Sequence, residues 1–190
     1  LPLLHRYMGI KKKAMGLEEL HLYDLYVPIQ ENPFGPFSYD QGVQVMMAGL
    51  APLGEEYVGD LKKGMTSGWI DRYENKGKRS GAYSWGVYGA HPFVLLNYQN
   101  KLDDVLTLSH EMGHAMHSYY SQKYQPYSNS DYTIFCAEVA STTNEALVLR
   151  HLLKNAKTKE ERIFLLTQMA ESIRTTLYRQ TLFAEFEIYI

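Results

Sequence analysis

The chain has 190 residues, 19 basic and 21 acidic side chains for a formal charge of −2, 45% hydrophobic residues, 13% aromatic residues and one cysteine. The apolar fraction is too high for a disordered chain, and the charge balance leaves no electrostatic footprint for nucleic acid or an anionic membrane. No run of about 18 apolar residues offers a membrane span, and the lone Cys136 cannot form an internal disulfide, so the cytoplasm is the expected compartment. The length fits one domain, and the leucine start with the Ile188-Tyr189-Ile190 stop is what a chain truncated at both ends would show.

In chain order, residues 1–15 are helix-compatible, with Leu4, Tyr7 and Met8 on one side and Lys11 to Lys13 leading to the break at Gly16. Residues 20–27 end at Pro28, and two prolines and a glycine within 32–36 predict a loop. A helix is expected from Ser38 or Asp40 to Leu50, broken at Pro52-Leu53-Gly54, and a short one over 55–63. Glycines mixed with tryptophan and tyrosine then predict a small antiparallel β insert near residues 64–100, with Phe93 to Tyr98 as its best strand. Asn100 is the expected cap of a helix from Leu102 to about Tyr120. Pro126 to Ser130 form a connection, a helix covers Thr133 to Asn155, and Thr158-Lys159-Glu160-Glu161 is a capping box that opens a long last helix. The fold class is therefore mainly α.

The helix after Asn100 contains His110-Glu111-Met112-Gly113-His114. At 100° per residue the two histidines stand about 40° apart, one turn above the other, so both imidazoles can reach one ion. At this chain's own residue frequencies, chance yields the pattern about 0.02 times. Catalytic zinc takes three protein ligands and keeps a fourth position open, so a third donor must come from elsewhere. Glu138, 24 residues past His114 on the next helix, is the natural candidate if that helix returns antiparallel. Glu111 flanks this stripe and is placed to take a proton from water attacking a carbonyl carbon and pass it to a leaving amine. Amide hydrolysis suits such a site best.

Other residues carry more than one reading. His117 is either a packed histidine or a group that orients a ligand or lines the substrate cleft, and Glu145 is a comparable orienting candidate. Asp103 either orients a ligand histidine or supplies helix N-terminal charge. Cys136 reads as a small buried hydrophobe. Lys76-Gly77-Lys78-Arg79-Ser80 lacks the full spacing of a phosphate loop, and Gly81 to Gly89, with Tyr83 and Tyr88, suits a loop over a cleft or a packed hairpin. If Phe93 to Tyr98 is an edge strand beside the metal, an extended peptide could pair with it. Two other classes compete. One is a non-catalytic zinc-binding helical scaffold. The other is a helical di-iron carboxylate protein, because Glu111 to His114 and Glu18 to His21 both match its Glu-x-x-His pattern.

The row from His110 to His117, followed by Glu138-Val139-Ala140-Ser141 and preceded by Gly77-Lys78-Arg79-Ser80-Gly81-Ala82-Tyr83-Ser84, resembles the thimet oligopeptidase and oligoendopeptidase F family of zinc peptidases, with the bacterial oligoendopeptidases the closer likeness. The resemblance spans nearly the whole chain. It implies a zincin-like helical catalytic domain enclosing a deep channel, of which residues 1–190 form a part, and one zinc ion per chain on His110, His114 and Glu138. It implies Glu111 as general base and short peptides as substrates, with the remainder of the same polypeptide beyond both ends as the other partner. It also implies that the oxyanion-stabilising tyrosines lie past Ile190, so the isolated piece is expected to bind zinc weakly and hydrolyse peptides poorly.

Overall fold

Short-range capping chemistry sets the starts of several helices in the computed structural model, which describes residues 1–190. Ser38 accepts from the Gln41 backbone while its own N–H donates to the Gln41 side chain, opening α2 (Tyr39–Leu50). Thr158 and Glu161 exchange the same pair of bonds to open α6 (Lys159–Ile173). A π-helical turn over Arg174–Tyr178 joins α6 to α7 (Arg179–Tyr189), so the predicted long last helix is continuous but carries a wider turn. The remaining helices are α1 (Pro2–Ala14), α3 (Glu55–Thr66), α4 (Leu102–Tyr124) and α5 (Ile134–Asn155). The start of α4 differs from expectation. Asn100 takes a left-handed conformation (φ 63°), and Asp104 accepts from the Lys101 and Gln99 N–H groups, so Lys101 stands at the cap. No helix is long and apolar enough to cross a membrane.

The chain divides into two compact units, residues 1–34 with 155–190, and residues 35–154. In the first, the lysine run that follows the apolar residues of α1 hides a buried charge. Lys11 is 2% exposed; its Nζ donates to the Leu25 carbonyl at 2.8 Å and lies 3.4 Å from Glu171. Glu171 also accepts from Tyr7 at 2.6 Å and from Arg174 through two nitrogens at 2.7 and 2.6 Å. Burial raises the Glu171 carboxyl, but hydrogen bonds from Arg174 and Tyr7 and the charges of Arg174 and Lys11 outweigh it, so the net shift is downward. A cavity of about 1150 Å³ also lies in this unit, with Leu4, Met8, Leu25, Leu177, Leu182 and Phe183 on its walls. Its polar lining, which includes Lys12, His21, Arg174, Arg179 and Glu185, holds no group of converging metal-ligand atoms, so volume alone does not mark the chemistry here.

The second unit is built around α4. Leu102, Val105, Leu108, Met112, Ala115 and Met116 recur at helical spacing and are all almost fully buried, as are Met46 and Leu50 of α2, Leu61 of α3 and Val148 of α5. Against α4 lies a small sheet, with β1 (Ile70–Asp71), β3 (Phe93–Leu95) and β2 (Tyr83–Trp85) in that order. The sheet is mixed: β2 pairs antiparallel with β3, whereas β1 pairs parallel. The expected edge strand, Phe93 to Tyr98, is instead the centre of the sheet, and the ladder continues beyond it as Leu96 and Tyr98 donate to Asp71 and Arg72.

Two polar side chains explain that order. Lys78 ties the 72–82 connection to the Asp71 carboxylate (3.2 Å) and the Tyr73 carbonyl (2.7 Å), and the Asn97 amide donates to the Arg79 and Gly81 carbonyls. The connection is thereby carried across to the far side of β3. The same bonds engage the Lys78 ammonium of the basic loop.

Helices α4 and α5 meet backbone to backbone at Gly113. A Cβ there would stand 2.6 Å from Ser141 Cα and 2.9 Å from the Ala140 carbonyl oxygen. Nearby, the buried Asn144 amide donates to the Ser109 carbonyl at 3.1 Å and exchanges hydrogen bonds with Tyr57. Partners on the two helices run in opposite order, so the pair is antiparallel.

Two predictions follow from these contacts. Helix propensity alone would favour Gly113→Ala by about 1 kcal/mol, but overpacking against backbone costs more, and a net loss of about 2 kcal/mol is expected in urea unfolding. A group whose pKa falls on folding contributes stability above its unfolded pKa, and that contribution is lost as pH drops through the folded value. Glu171→Gln should therefore lower the melting temperature by several degrees at pH 7, as expected for breaking a buried ion pair, and the gap from wild type should close towards pH 3.

Candidate metal centre

The i, i+4 spacing on α4 places the His110 and His114 rings 4.6 Å apart at 85°, with their Nε2 atoms 3.0 Å from one another. The antiparallel return of α5 brings Glu138 to the same point. Its Oε2 lies 3.5 Å from His110 Nε2 and its Oε1 lies 3.7 Å from His114 Nε2. The three ligand atoms all fall within 4.8 Å of one another. Donors bound at about 2.0–2.2 Å around a tetrahedral ion stand roughly 3.3 Å apart. The two Nε2 atoms at 3.0 Å and His110 Nε2 to Glu138 Oε2 at 3.5 Å lie close to that edge, with the second carboxylate oxygen turned towards His114 at 3.7 Å, so these residue types suit a small divalent cation.

Each histidine is oriented by a bond on the side away from the cluster. His110 Nδ1 meets Glu145 Oε1 at 2.5 Å, and the His114 ring bonds to the backbone of Ala137. Burial lowers the His110 pKa, but the hydrogen bond and charge of Glu145, with Glu111 and Glu138, reverse this and leave it raised. Burial and the charge of His110 lower that of His114, only partly offset by Glu138 and Ala137. The directions differ because Glu145 bonds His110 directly, whereas no carboxylate bonds the His114 ring and burial dominates there.

Glu111 is 7% exposed. Burial pushes its carboxyl up to about 7; the charge of His110 opposes this, and Glu138 and Glu145 reinforce it. Its place beside His110 on α4 follows from the motif.

The structure gathers His110, His114, Glu138 and Glu145, with Glu111 beside them, and leaves other candidates outside. His117 stacks on Tyr132 with ring centroids 3.9 Å apart, and its Nδ1 is buried without a partner. Asp103 stands in the first turn of α4, and Glu145 is the carboxylate that meets His110. The Tyr88 hydroxyl donates to the Gln125 carbonyl, eleven residues past His114 and so roughly 16 Å along the helix. Tyr83 lies on β2, half-exposed. Cys136, expected to be buried, is exposed, because the first turn of α5 carries Ile134, Phe135 and Cys136 at the surface. Glu18 and His21 precede a 3-10 turn at Leu22–Tyr26 and lie on no α-helix, which removes the second helix motif that a di-iron bundle needs. The sequence reading missed Ser141, whose hydroxyl lies 2.9 Å from Glu138 Oε2. Its place one turn past Glu138 was the available signal.

Residues 1–190 match the model of Peptidase family M3. The chain is 51% identical over 187 residues to Oligopeptidase PepF of Bacillus subtilis (strain 168), covering 98% of this chain and 28% of the relative. It is 49% identical to an oligoendopeptidase F homolog of Lactococcus lactis subsp. lactis (strain IL1403), covering 98% and 31%. Among solved structures, the oligoendopeptidase-F of Enterococcus faecium superposes with a TM-score of 0.63 at 32% identity, covering 99% of this chain and 25% of that one. A crystal structure from Chlamydophila abortus gives 0.87 at 46% identity, covering 98% and 31%. The chain thus spans about 30% of the length of the curated relatives it matches. With the family model covering every residue and the curated relatives close to half identical, the chain belongs to Peptidase family M3.

Proposed function

We propose that this chain is the metal-bearing part of a zinc-dependent endopeptidase that cleaves internal bonds of short peptides in the cytoplasm. The observation that carries the proposal is the convergence of His110, His114 and Glu138 donors from two helices, with the buried Glu111 alongside. His110, His114 and Glu138 would hold one zinc ion. When bound, zinc supplies Lewis acidity that polarises a peptide carbonyl and makes water acidic enough to attack near neutral pH. Glu145 and the Ala137 backbone fix the ring orientations, so that both Nε2 atoms face the same point. Glu111 takes a proton from the attacking water and returns it to the departing amine.

A peptide can be held through its main chain on β2, the outer strand on the side where Gly86 packs against Ser118 of α4, one turn past His114. The central β3 has no free edge for this. The names of the relatives, oligopeptidase and oligoendopeptidase, favour short peptides as substrates. Their greater length favours a catalytic domain completed by further segments of the same polypeptide, including the donors that stabilise the oxyanion.

In the full-length protein, zinc analysis should find one equivalent per chain, and His110→Ala or His114→Ala should remove it. Glu111→Gln should keep the zinc and lower kcat on an internally quenched peptide by about 10²–10⁴-fold. Retained zinc with no hydrolysis by the wild type would favour a zinc-binding scaffold instead, and an unchanged kcat in the variant would remove Glu111 from the role of base.

A further inference from the structure

Each of the three converging side chains has its own partner outside the cluster, and for Glu138 that partner is Ser141. His110 is fixed by Glu145 and His114 by the Ala137 backbone. Glu138 is 48% exposed and has no lysine or arginine within ion-pair distance, so a long flexible carboxylate stands half in solvent. Ser141, one turn along α5, is fully buried. Its Oγ lies 3.1 Å from the Glu138 backbone carbonyl and 2.9 Å from Glu138 Oε2. The first contact is what a helical serine commonly makes. The second is not, and it falls on the carboxylate oxygen nearer His110, leaving Oε1, nearer His114, free of any hydroxyl.

We propose that Ser141 is the positioning residue of Glu138: its hydroxyl holds Oε2, so the carboxylate is pre-set toward the two histidines. The serine cannot drift, because α4 packs against its backbone at Gly113. The small residue inside the histidine motif and the serine after the glutamate thus act on one group. Alanine at 141 keeps the packing and removes only the donor, while a side chain at Gly113 would displace the serine itself. This inference rests on the reading of His110, His114 and Glu138 as the metal ligands.

A double-mutant cycle in the full-length protein tests it, with zinc dissociation constants from chelator competition and melting temperatures of the zinc-free forms. Ser141→Ala should weaken zinc binding about 10–100-fold in the wild-type background, with little change in zinc-free melting temperature, and should have no further effect in a Glu138→Ala background. No weakening, or equal weakening in both backgrounds, would overturn the role of Ser141 while leaving the metal centre standing. Failure of the wild type to bind zinc, or unchanged affinity in Glu138→Ala, would overturn the metal-centre reading itself.

Discussion

The close approach of α4 and α5 at Gly113 is the constraint on which the site depends. Only a residue without a side chain lets Ser141 Cα come that near, and the helices share few other contacts of this kind. Once the backbones touch, the rest follows from register. Asn144 reaches the Ser109 carbonyl, Glu145 reaches His110, and Glu138 arrives opposite His114. The buried Asn144 bond to the Ser109 carbonyl fixes this register, since leaving that amide unpaired in the core would be costly. Packing along the apolar stripe of α4 supplies the driving force, but it does not choose among neighbouring registers as these polar bonds do.

Charge balance gives the same residues their chemistry. Two imidazoles and three carboxylates within two helical turns would be an unstable set if every acid were ionised and no cation were shared. The proton affinities of His110 and Glu111 are raised and that of His114 is lowered, by burial at Glu111 and His114 and by Glu145 at His110. The charged cluster of the other unit behaves differently. Lys11, Arg174 and Tyr7 all serve Glu171, which is saturated with donors, so that cluster holds structure rather than a ligand.

Features decided within a few residues were legible in the sequence. The His110 and His114 pair depends only on helical pitch, and the boxes at Ser38 and Thr158 depend on a three-residue offset. Glu138 was legible because a short connection leaves an antiparallel return as the simplest course. What depended on distant partners was not. The central place of β3 is set by Lys78 and Asn97 folding a connection across it, and neither residue announces that in a linear reading. Cys136 is exposed because of the face that α5 turns to α4, which composition does not reveal. Asn100 was expected to cap α4 from its residue type alone, but it turns left-handed, and Asp104 accepts from the Lys101 and Gln99 N–H groups, so the helix starts one residue later.

The central claim is that one zinc ion sits between α4 and α5 on two nitrogens and a carboxylate. Anomalous diffraction at the zinc edge from crystals of the full-length protein tests it most directly. The account predicts a single strong peak within about 2.0–2.2 Å of His110 Nε2, His114 Nε2 and a Glu138 oxygen. A peak bound elsewhere, or one bound through the exposed Cys136 sulfur in place of Glu138, would contradict it.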